Sequence, residues 1–184
     1  MTYILNNEIS FGDSQNLDAF SRLRTSEPLN LAHGAHDISN GSEIFETILT
    51  AGGTATWDST KTEIGFAVTT NGDAAVREQH GYNFYQPGKS QRAILTGTFG
   101  TATANVTKRM GYFNSSDGMF FEMRNGVFGI VLRTSTSGTP VDTFIAQTNW
   151  NIDTMISGNP LNPSGFVFDS TKSNIFIMDF QWLG

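Results

Sequence analysis

Apolar and polar residues alternate along much of this chain with the period of a β-strand. From Thr62 to Thr70 the apolar side chains are Ile64, Phe66 and Val68, at every second position. That period is typical of a strand with one buried face. Similar short apolar segments recur between turn-forming residues at intervals of roughly 8–12 residues, as in a sandwich or barrel. We find no alternation of strands and helices and no heptads, so the pattern predicts an all-β, antiparallel protein.

The clearest hairpin lies at Asn125-Gly126, between an aromatic-rich segment, 119–124, and an apolar one, 127–133. A type I′ turn needs positive φ at both central residues, which Asn tolerates and Gly adopts freely. The same dipeptide at Asn71-Gly72 predicts a second hairpin, which would pair segment 62–70 with segment 73–80.

Other segments of the chain are assigned by the same criteria. Segment 43–50 is ambiguous between a strand and a short helix. One helical turn is predicted within 148–155, and a Pro- and Gly-rich loop at 157–165. The remaining predicted strands are 90–99, 141–147 and the very apolar 174–183, and segment 105–112 leads into the hairpin at Asn125-Gly126.

Residues 1–40 differ from the rest, because they are polar with irregularly spaced Leu and Phe. We expect an N-terminal arm with a short helical or turn element at 18–24 that Pro28 ends. The arm either lies over a neighbouring subunit or packs on its own domain. Residues 41–184 are predicted to form a β-sandwich. Because the last strand is so apolar and then stops, we expect either that it docks centrally at the terminus or that the sequence is the front part of a longer protein.

Composition narrows the class of protein. Charged residues make up only 15% of the chain, below the roughly 25% typical of soluble domains, and such surfaces suit large assemblies. The net charge of −6 and the absence of a basic run argue against nucleic-acid binding. Cysteine is absent, so disulfides are excluded. The N-terminus lacks the features of a secretory signal, and no segment approaches the roughly 18 apolar residues of a membrane span.

Two segments carry possible metal ligands. His33, His36 and Asp37 are close in sequence, as in zinc sites, although the third histidine, His80, is remote. The segment from Asn114 through Asp117 offers oxygen ligands as calcium loops do. It lacks the spaced carboxylates of an EF-hand, however, and a polar loop and an ordinary turn explain the two segments more simply.

Enzymatic candidates are equally weak. A glycan depolymerase would need two carboxylates roughly 5–10 Å apart across a groove, and sequence gives no pairing. Asp179 interrupts an apolar strand, as a buried functional carboxylate would, but it also fits the outward position of an alternating strand. We therefore predict no catalytic, cofactor-binding or metal residues and no cofactor. The carboxylates considered are Asp117, Glu122, Asp142, Asp153 and Asp179.

Aromatic residues offer an alternative function, a carbohydrate- or receptor-binding module. Trp57, Tyr82, Tyr85 and Trp150 could stack on sugar rings if they lined one accessible face. Aromatic side chains in β proteins more often belong to the core.

Several segments, taken in order, resemble one family. They are DAFSRLRTSEP (18–28), YQPGKS (85–90) with KRMGYF (108–113), and QTNWNID (147–153) with IMDFQWLG (177–184). Together they resemble virion structural proteins of tailed bacteriophages, including cyanophages, whose members are described as structural, fibre or tail proteins. In that family the FQWLG segment continues into a further β-rich half, so the resemblance implies the N-terminal part of a longer protein.

The resemblance implies a virion location and a structural, non-enzymatic role as a tail fibre, head fibre or capsid-associated protein. It implies a jelly-roll-like or other antiparallel sandwich that forms a homo-oligomer, with a trimer favoured. The N-terminal arm would bind other virion proteins of the capsid, neck or tail. A host-surface glycan is a further expected partner under the alternative function, and neither nucleic acid nor a membrane is expected.

Overall fold

The structure, a computed structural model, describes residues 29–84 and 89–181. These residues fall into two compact units, 29–84 and 89–181. Strands dominate both units and all the strand pairs are antiparallel, which confirms the predicted all-β antiparallel class. The described part of the chain contains no helix long and apolar enough to cross a bilayer.

Unit 29–84 contains four short strands in two separate pairs. Strand β1 pairs with β4, and β2 pairs with β3. Segment 43–50, ambiguous in sequence, contains strand β1, because its β-branched and aromatic residues favour the extended backbone. The bounds are β1 Phe45–Thr50, β2 Thr54–Asp58, β3 Glu63–Ala67 and β4 Ala74–Gln79.

The predicted hairpin at Asn71-Gly72 is wrong. A turn is present there, but β3 pairs backward with β2, and β4 pairs with β1. The physical reason is Asp73, whose carboxylate accepts hydrogen bonds from the backbone amides of Thr69, Thr70 and Gly52. These bonds hold the turn against the end of β1. Strand β4, which follows the turn, therefore begins next to β1 and pairs with it.

Unit 89–181 is a two-layer sandwich. One layer is a four-stranded meander in the order β6-β7-β8-β9, and the other is the pair β5-β10. A single 3₁₀ turn, Gln147–Asn149, follows β9, within one residue of the predicted helical turn. The bounds are β5 Ser90–Gly97, β6 Thr107–Phe113, β7 Gly118–Arg124, β8 Val127–Thr134, β9 Val141–Ala146 and β10 Asn174–Gln181.

The hairpin predicted at Asn125-Gly126 is confirmed. Arg124 lies opposite Val127, and φ is 49° at Asn125 and 82° at Gly126, as a type I′ turn requires. This register places Met123 and Phe128 on the same face of the sheet. That face packs against Phe99 and Phe176 to form the buried core.

The core is built from aromatic rings. Phe128 stacks on Phe168 with centroids 4.2 Å apart, and Phe121 lies 4.9 Å from Phe176 of the facing strand β10. Aromatic pairs at these separations contribute beyond the area they bury. Five of the chain's 15 phenylalanines, Phe99, Phe121, Phe128, Phe168 and Phe176, meet in this interior.

Two predictions remain open. The arm expected at 1–40, with its helical element at 18–24, falls largely on residues 1–28, which lie outside the described residues, and residues 29–40 are irregular within unit 29–84. A jelly roll requires two sheets linked by Greek-key connections. The described strands form one meander and three pairs, so the jelly-roll topology stays a prediction.

Candidate functional surface

Charged side chains collect on the face of the four-stranded sheet opposite the aromatic core. Glu122 of β7 lies at its centre and has no exposed side-chain surface. Arg109 of β6, the register partner of Glu122, donates from Nε to Oε2 at 2.7 Å. Arg124, two positions along β7, donates from Nε to Oε1 at 2.7 Å. A buried carboxylate is thus held between two partly exposed guanidinium groups.

A second ion pair extends this face towards β9. Arg133 of β8 and Asp142 of β9 are register partners, and they form a bidentate pair at 2.7 and 2.9 Å. Hydrogen bonding and charge attraction from Arg133 lower the pKa of the Asp142 carboxyl, and the same pairing raises the pKa of Arg133.

Three guanidinium groups also cover the aromatic rings of this face. Arg109 and Arg133 lie 5.4 and 5.3 Å from the centroid of Phe120, and Arg124 lies 5.1 Å from that of Phe144. Phe120 has no exposed surface. The arginines therefore combine ion pairing with cation–π contacts, which is typical of a structural network. We call this set of residues, Arg109, Glu122, Arg124, Arg133 and Asp142, the arginine face.

The remaining candidate carboxylates lie elsewhere and are bonded locally. Asp153, in the loop after the 3₁₀ turn, accepts the backbone amides of Met155 and Ser164, and bonds from Ser164 and Met155 lower its pKa. Asp117 accepts both the amide and the hydroxyl of Ser135. Each of these carboxylates therefore holds a loop in place by accepting hydrogen bonds from its backbone amides.

Asp179 occupies the outward position of an alternating strand, one of the two readings the sequence allowed. Its neighbours Phe176 and Met178 are buried, whereas Ile175 and Ile177 are exposed on its own side. Arg92, its register partner in β5, donates to Asp179 Oδ2 at 2.8 Å. Among the five candidate carboxylates, only Glu122 and Asp142 share one surface.

Among the histidines of unit 29–84, His36 has a structural role. His36 stacks on Phe45 with centroids 5.1 Å apart, and Arg77 donates from Nε to His36 Nε2 at 3.2 Å. Burial, and then the Arg77 charge, lower the pKa of His36. His33 is exposed, and within the described ranges no three His, Asp or Glu side chains gather as a metal would need.

The Asn114–Gly118 segment is a turn that links β6 and β7. Asn114 Oδ1 accepts the amides of Ser116 and Asp117, and the Asn114 amide donates to the carbonyl of Asp117. The oxygens considered as calcium ligands therefore cap backbone amides.

The candidate aromatic residues lie in separate settings. Trp57, in unit 29–84, donates its indole N–H to the carbonyl of His36, and Tyr82 is 73% exposed. Trp150 belongs to unit 89–181 and contacts Phe128 of the core. Tyr85 lies outside the described residues.

Two open hollows mark unit 89–181. One, of about 350 Å³, is lined by Ile130, Ile145, Asn149, Trp150 and Asn151. The other, of about 240 Å³, is lined by Gly126, Val127, Phe128, Gln147, Thr148 and Ile156. Neither lining contains a titratable side chain, so proton-transfer chemistry has no group to use there.

Sequence reasoning missed the three arginines of the arginine face. The usable signal was the hairpin register: once Asn125-Gly126 fixes the β7–β8 turn, Glu122 and Arg124 must share a face, two positions apart. The same turn places Arg133 of β8 on this face, whereas Arg109 and Asp142 also require the registers of β6 and β9, which depend on longer connections.

Unit 29–84 presents many large apolar side chains to solvent. Its buried residues are the glycines Gly41 and Gly53. None of the large apolar side chains of this unit is buried. The exposed ones are Leu29, Leu31, Ile38, Ile48, Leu49, Phe66, Val76, Tyr82 and Phe84.

Compared with known proteins, the chain matches no family model, no curated protein and no solved structure.

Proposed function

We propose that this chain is a structural component of a tailed-bacteriophage virion, a fibre or a capsid- or tail-associated protein, that acts through subunit assembly. The proposal draws on the ordered sequence segments that resemble such proteins, on the low charge content, and on the surfaces described above. Residues 1–40 would anchor the subunit to other virion proteins.

The observation that carries the proposal is the lack of an apolar core in unit 29–84. Isolated two-stranded pairs are marginally stable in water, and both sheets of this unit are of that size. Phe66, Ile48 and Val76 are each more than 40% exposed. Ile48 and Val76 are register partners in the β1–β4 pair, and contiguous exposed apolar surface is typical of interfaces, so a partner subunit would complete what the unit lacks.

The arginine face supports a structural role in a second way. Its carboxylates are held by arginines of the same sheet, and these pairs fix the side chains of neighbouring strands. A rigid, preorganised sheet suits a subunit that must present a constant surface to its neighbours.

Light scattering on the purified chain, with and without residues 1–40, tests the proposal. We expect a defined oligomer for the full chain, and we expect it to persist without the arm if the β units make the contacts. A trimer, which the resemblance favours, and an even-numbered assembly differ clearly in mass. A monodisperse monomer for the full chain across micromolar concentrations would contradict self-assembly.

A second candidate is a glycan-binding module, for which the hollow beside Trp150 is the specific observation. An aromatic ring with the amides of Asn149 and Asn151 offers stacking and hydrogen bonds of the kind sugars use. Titration with neutral monosaccharides and oligosaccharides, followed by tryptophan fluorescence, tests it. Binding should disappear in Trp150→Ala and persist in Trp57→Ala; binding that survives Trp150→Ala would rule this hollow out.

A further inference from the structure

Strand β9 is an edge strand with open hydrogen-bonding groups. It is the last strand of the order β6-β7-β8-β9. Its register pairs join it to β8 from Gly129↔Ala146 to Thr134↔Val141, and within the described residues no strand lies on its other side. Such an edge is a template for another strand.

The two edges of this sheet differ in how they are protected. Strand β6 carries two cations, Lys108 and Arg109, which are bonded within their own unit, and charged side chains, Lys above all, are the usual means of preventing edge-to-edge pairing. Strand β9 has the sequence VDTFIA, with no Lys, Arg or Pro. Its only charged residue, Asp142, is held by Arg133 of its own sheet.

An exposed apolar row runs along one face of β9. Val141, Thr143 and Ile145 alternate with partly buried residues, and Val141 and Ile145 are 50% and 45% exposed. Leu132, the register partner of Thr143, is 51% exposed on the same face. This face of the sheet builds the aromatic core elsewhere, but it is uncovered at the β9 edge.

We propose that β9 pairs antiparallel with β9 of a second copy of this chain, about a two-fold axis that passes through Thr143. This inference rests on the proposed function, since it names the partner through which subunits assemble. In this register Thr143 faces Thr143 of the second copy, and Val141 faces Ile145 on either side of the axis. Two four-stranded sheets then become one continuous sheet of eight strands.

The register follows from the faces of the strand. Opposed residues of paired strands lie on the same face, so a shift by one residue would place the exposed row against the partly buried one. Centring on Thr143 aligns Val141 with Ile145, a pairing of β-branched residues that sheets favour. The exposed apolar residues of one β9 strand thus face those of the other. Both subunits contribute the same residues, as a two-fold contact requires.

Charge also favours a second copy as the occupant. Since Arg133 neutralises Asp142 in each subunit, two copies of β9 bring no unpaired like charges together. Two six-residue strands would pair over a length of roughly 20 Å. Because this contact is short, we expect dimer formation to depend on protein concentration. Ile145 also lines the hollow beside Trp150, so dimerisation and ligand binding at that hollow compete.

Single cysteines test this geometry directly, because the chain contains none of its own. Opposed residues in an antiparallel pair have Cα atoms about 4.5–5.5 Å apart, within disulfide range. Thr143→Cys should therefore form a disulfide-linked dimer on mild oxidation. Val141→Cys is the matched control: the two Val141 positions lie four residues apart along the seam, about 13 Å, so it should stay monomeric on a non-reducing gel.

The double variant Val141→Cys with Ile145→Cys should crosslink again, because each cysteine then faces its counterpart across the axis. Crosslinking of Val141→Cys alone to the same extent as Thr143→Cys, or no crosslinking of Thr143→Cys, overturns the proposed register.

A charge placed on the axis gives an independent measurement. Thr143→Lys should lower the association constant at least tenfold by light scattering, whereas Thr96→Lys, an exposed position on β5, should not change it. If the unmodified chain forms an oligomer that Thr143→Lys leaves intact, the β9 contact is wrong and the assembly role stands. If the unmodified chain is monomeric, both proposals fail.

Discussion

Units 29–84 and 89–181 are built from strands of similar sequence pattern, but only one of them encloses a core. Unit 89–181 buries Phe99, Met123, Phe128 and Phe176 in a single cluster. Unit 29–84 leaves Phe66 and the apolar residues of β1 and β4 exposed. The two units differ because the β5-β10 pair covers one face of the four-stranded sheet and encloses a core. Neither strand pair of unit 29–84 has a core of this kind.

Charge separates the two units as well. Residues 29–84 contain seven Asp or Glu and two Lys or Arg, whereas residues 89–181 contain six and seven. The chain's negative charge is therefore concentrated in the unit that lacks a core. The near-neutral charge of unit 89–181 permits contact between like copies.

The largest contrast is expected from removing one phenylalanine in each unit. Phe128→Ala deletes a ring that contacts Phe168, Phe99 and Trp150, so we expect a loss of about 3–5 kcal/mol in the free energy of unfolding. Phe66→Ala, the same change at a 52% exposed site, should stay within about 0.5 kcal/mol. Urea unfolding at low protein concentration measures both.

Protein concentration gives a second test of the comparison between Phe128→Ala and Phe66→Ala. If a second subunit covers unit 29–84, the cost of Phe66→Ala should grow as protein concentration rises, because association adds to stability. Equal costs for the two substitutions at low concentration would mean that unit 29–84 has an interior after all.

A smaller effect is expected from the ion pairs. Glu122→Gln keeps the size of a fully buried side chain but leaves Arg109 and Arg124 without their carboxylate. Since both arginines can turn to solvent, we expect a loss of about 1–3 kcal/mol. The control is Glu63→Gln in unit 29–84, whose pair with Lys61 is exposed at 3.5 Å and should contribute nothing measurable. Thermal unfolding of both variants measures the two losses of stability.

Acid should act on unit 29–84 mainly through Asp73. Hydrogen bonds from the amides of Thr69, Thr70 and Gly52 lower the pKa of its carboxyl far below the usual range. A carboxyl with a lowered folded pKa stabilises the fold fully above its unfolded pKa of about 3.9, and the contribution is lost as pH falls below that value. We therefore expect the protection of the Thr69 and Thr70 amides, relative to the intrinsic exchange rate at each pH, to fall from about pH 4 downward.

Asp73→Asn should abolish most of this pH dependence and raise amide exchange at neutral pH. Asp37→Asn is the matched control, because Asp37 is exposed and its side chain accepts no hydrogen bond from the rest of the described chain. An unchanged pH profile in Asp73→Asn would show that the turn does not depend on this carboxylate. Hydrogen exchange followed by NMR gives the residue-level readout.

The sequence predicted local elements well where turn chemistry and periodicity agreed. The turn at Asn125-Gly126 and the strands on both sides of it depend only on neighbouring residues, and they are confirmed. The hairpin at Asn71-Gly72 failed because Asp73 bonds to Gly52, 21 residues away. A periodic pattern carries no information about such a distant partner.

The candidate site shows the same limit. The outward position of Asp179 was one of two possibilities in the sequence, because Ile175 and Ile177 on the same side of the strand are apolar as well. The arginine face needs the registers of four strands at once, and two of them are set by connections longer than a two-residue turn. Side chains that meet only through such registers, such as Arg133 and Asp142, could not be paired from sequence alone.

The smallest effect is expected at Gly81 of unit 29–84, and Gly53 of the same unit gives the opposite change. A methyl group at Gly81 would have no other atom within 4 Å, and the backbone of Gly81 is not left-handed. Gly81→Ala should therefore stabilise the unit by up to about 1 kcal/mol, by reducing the freedom of the unfolded chain. A methyl group at Gly53 would instead overlap the carbonyl of Ala74, so Gly53→Ala should destabilise the β1–β4 pair. Limited proteolysis of the two variants should show opposite shifts in cleavage rate within 29–84, and a shift in the same direction would mean that this unit has no fixed structure for a methyl group to disturb.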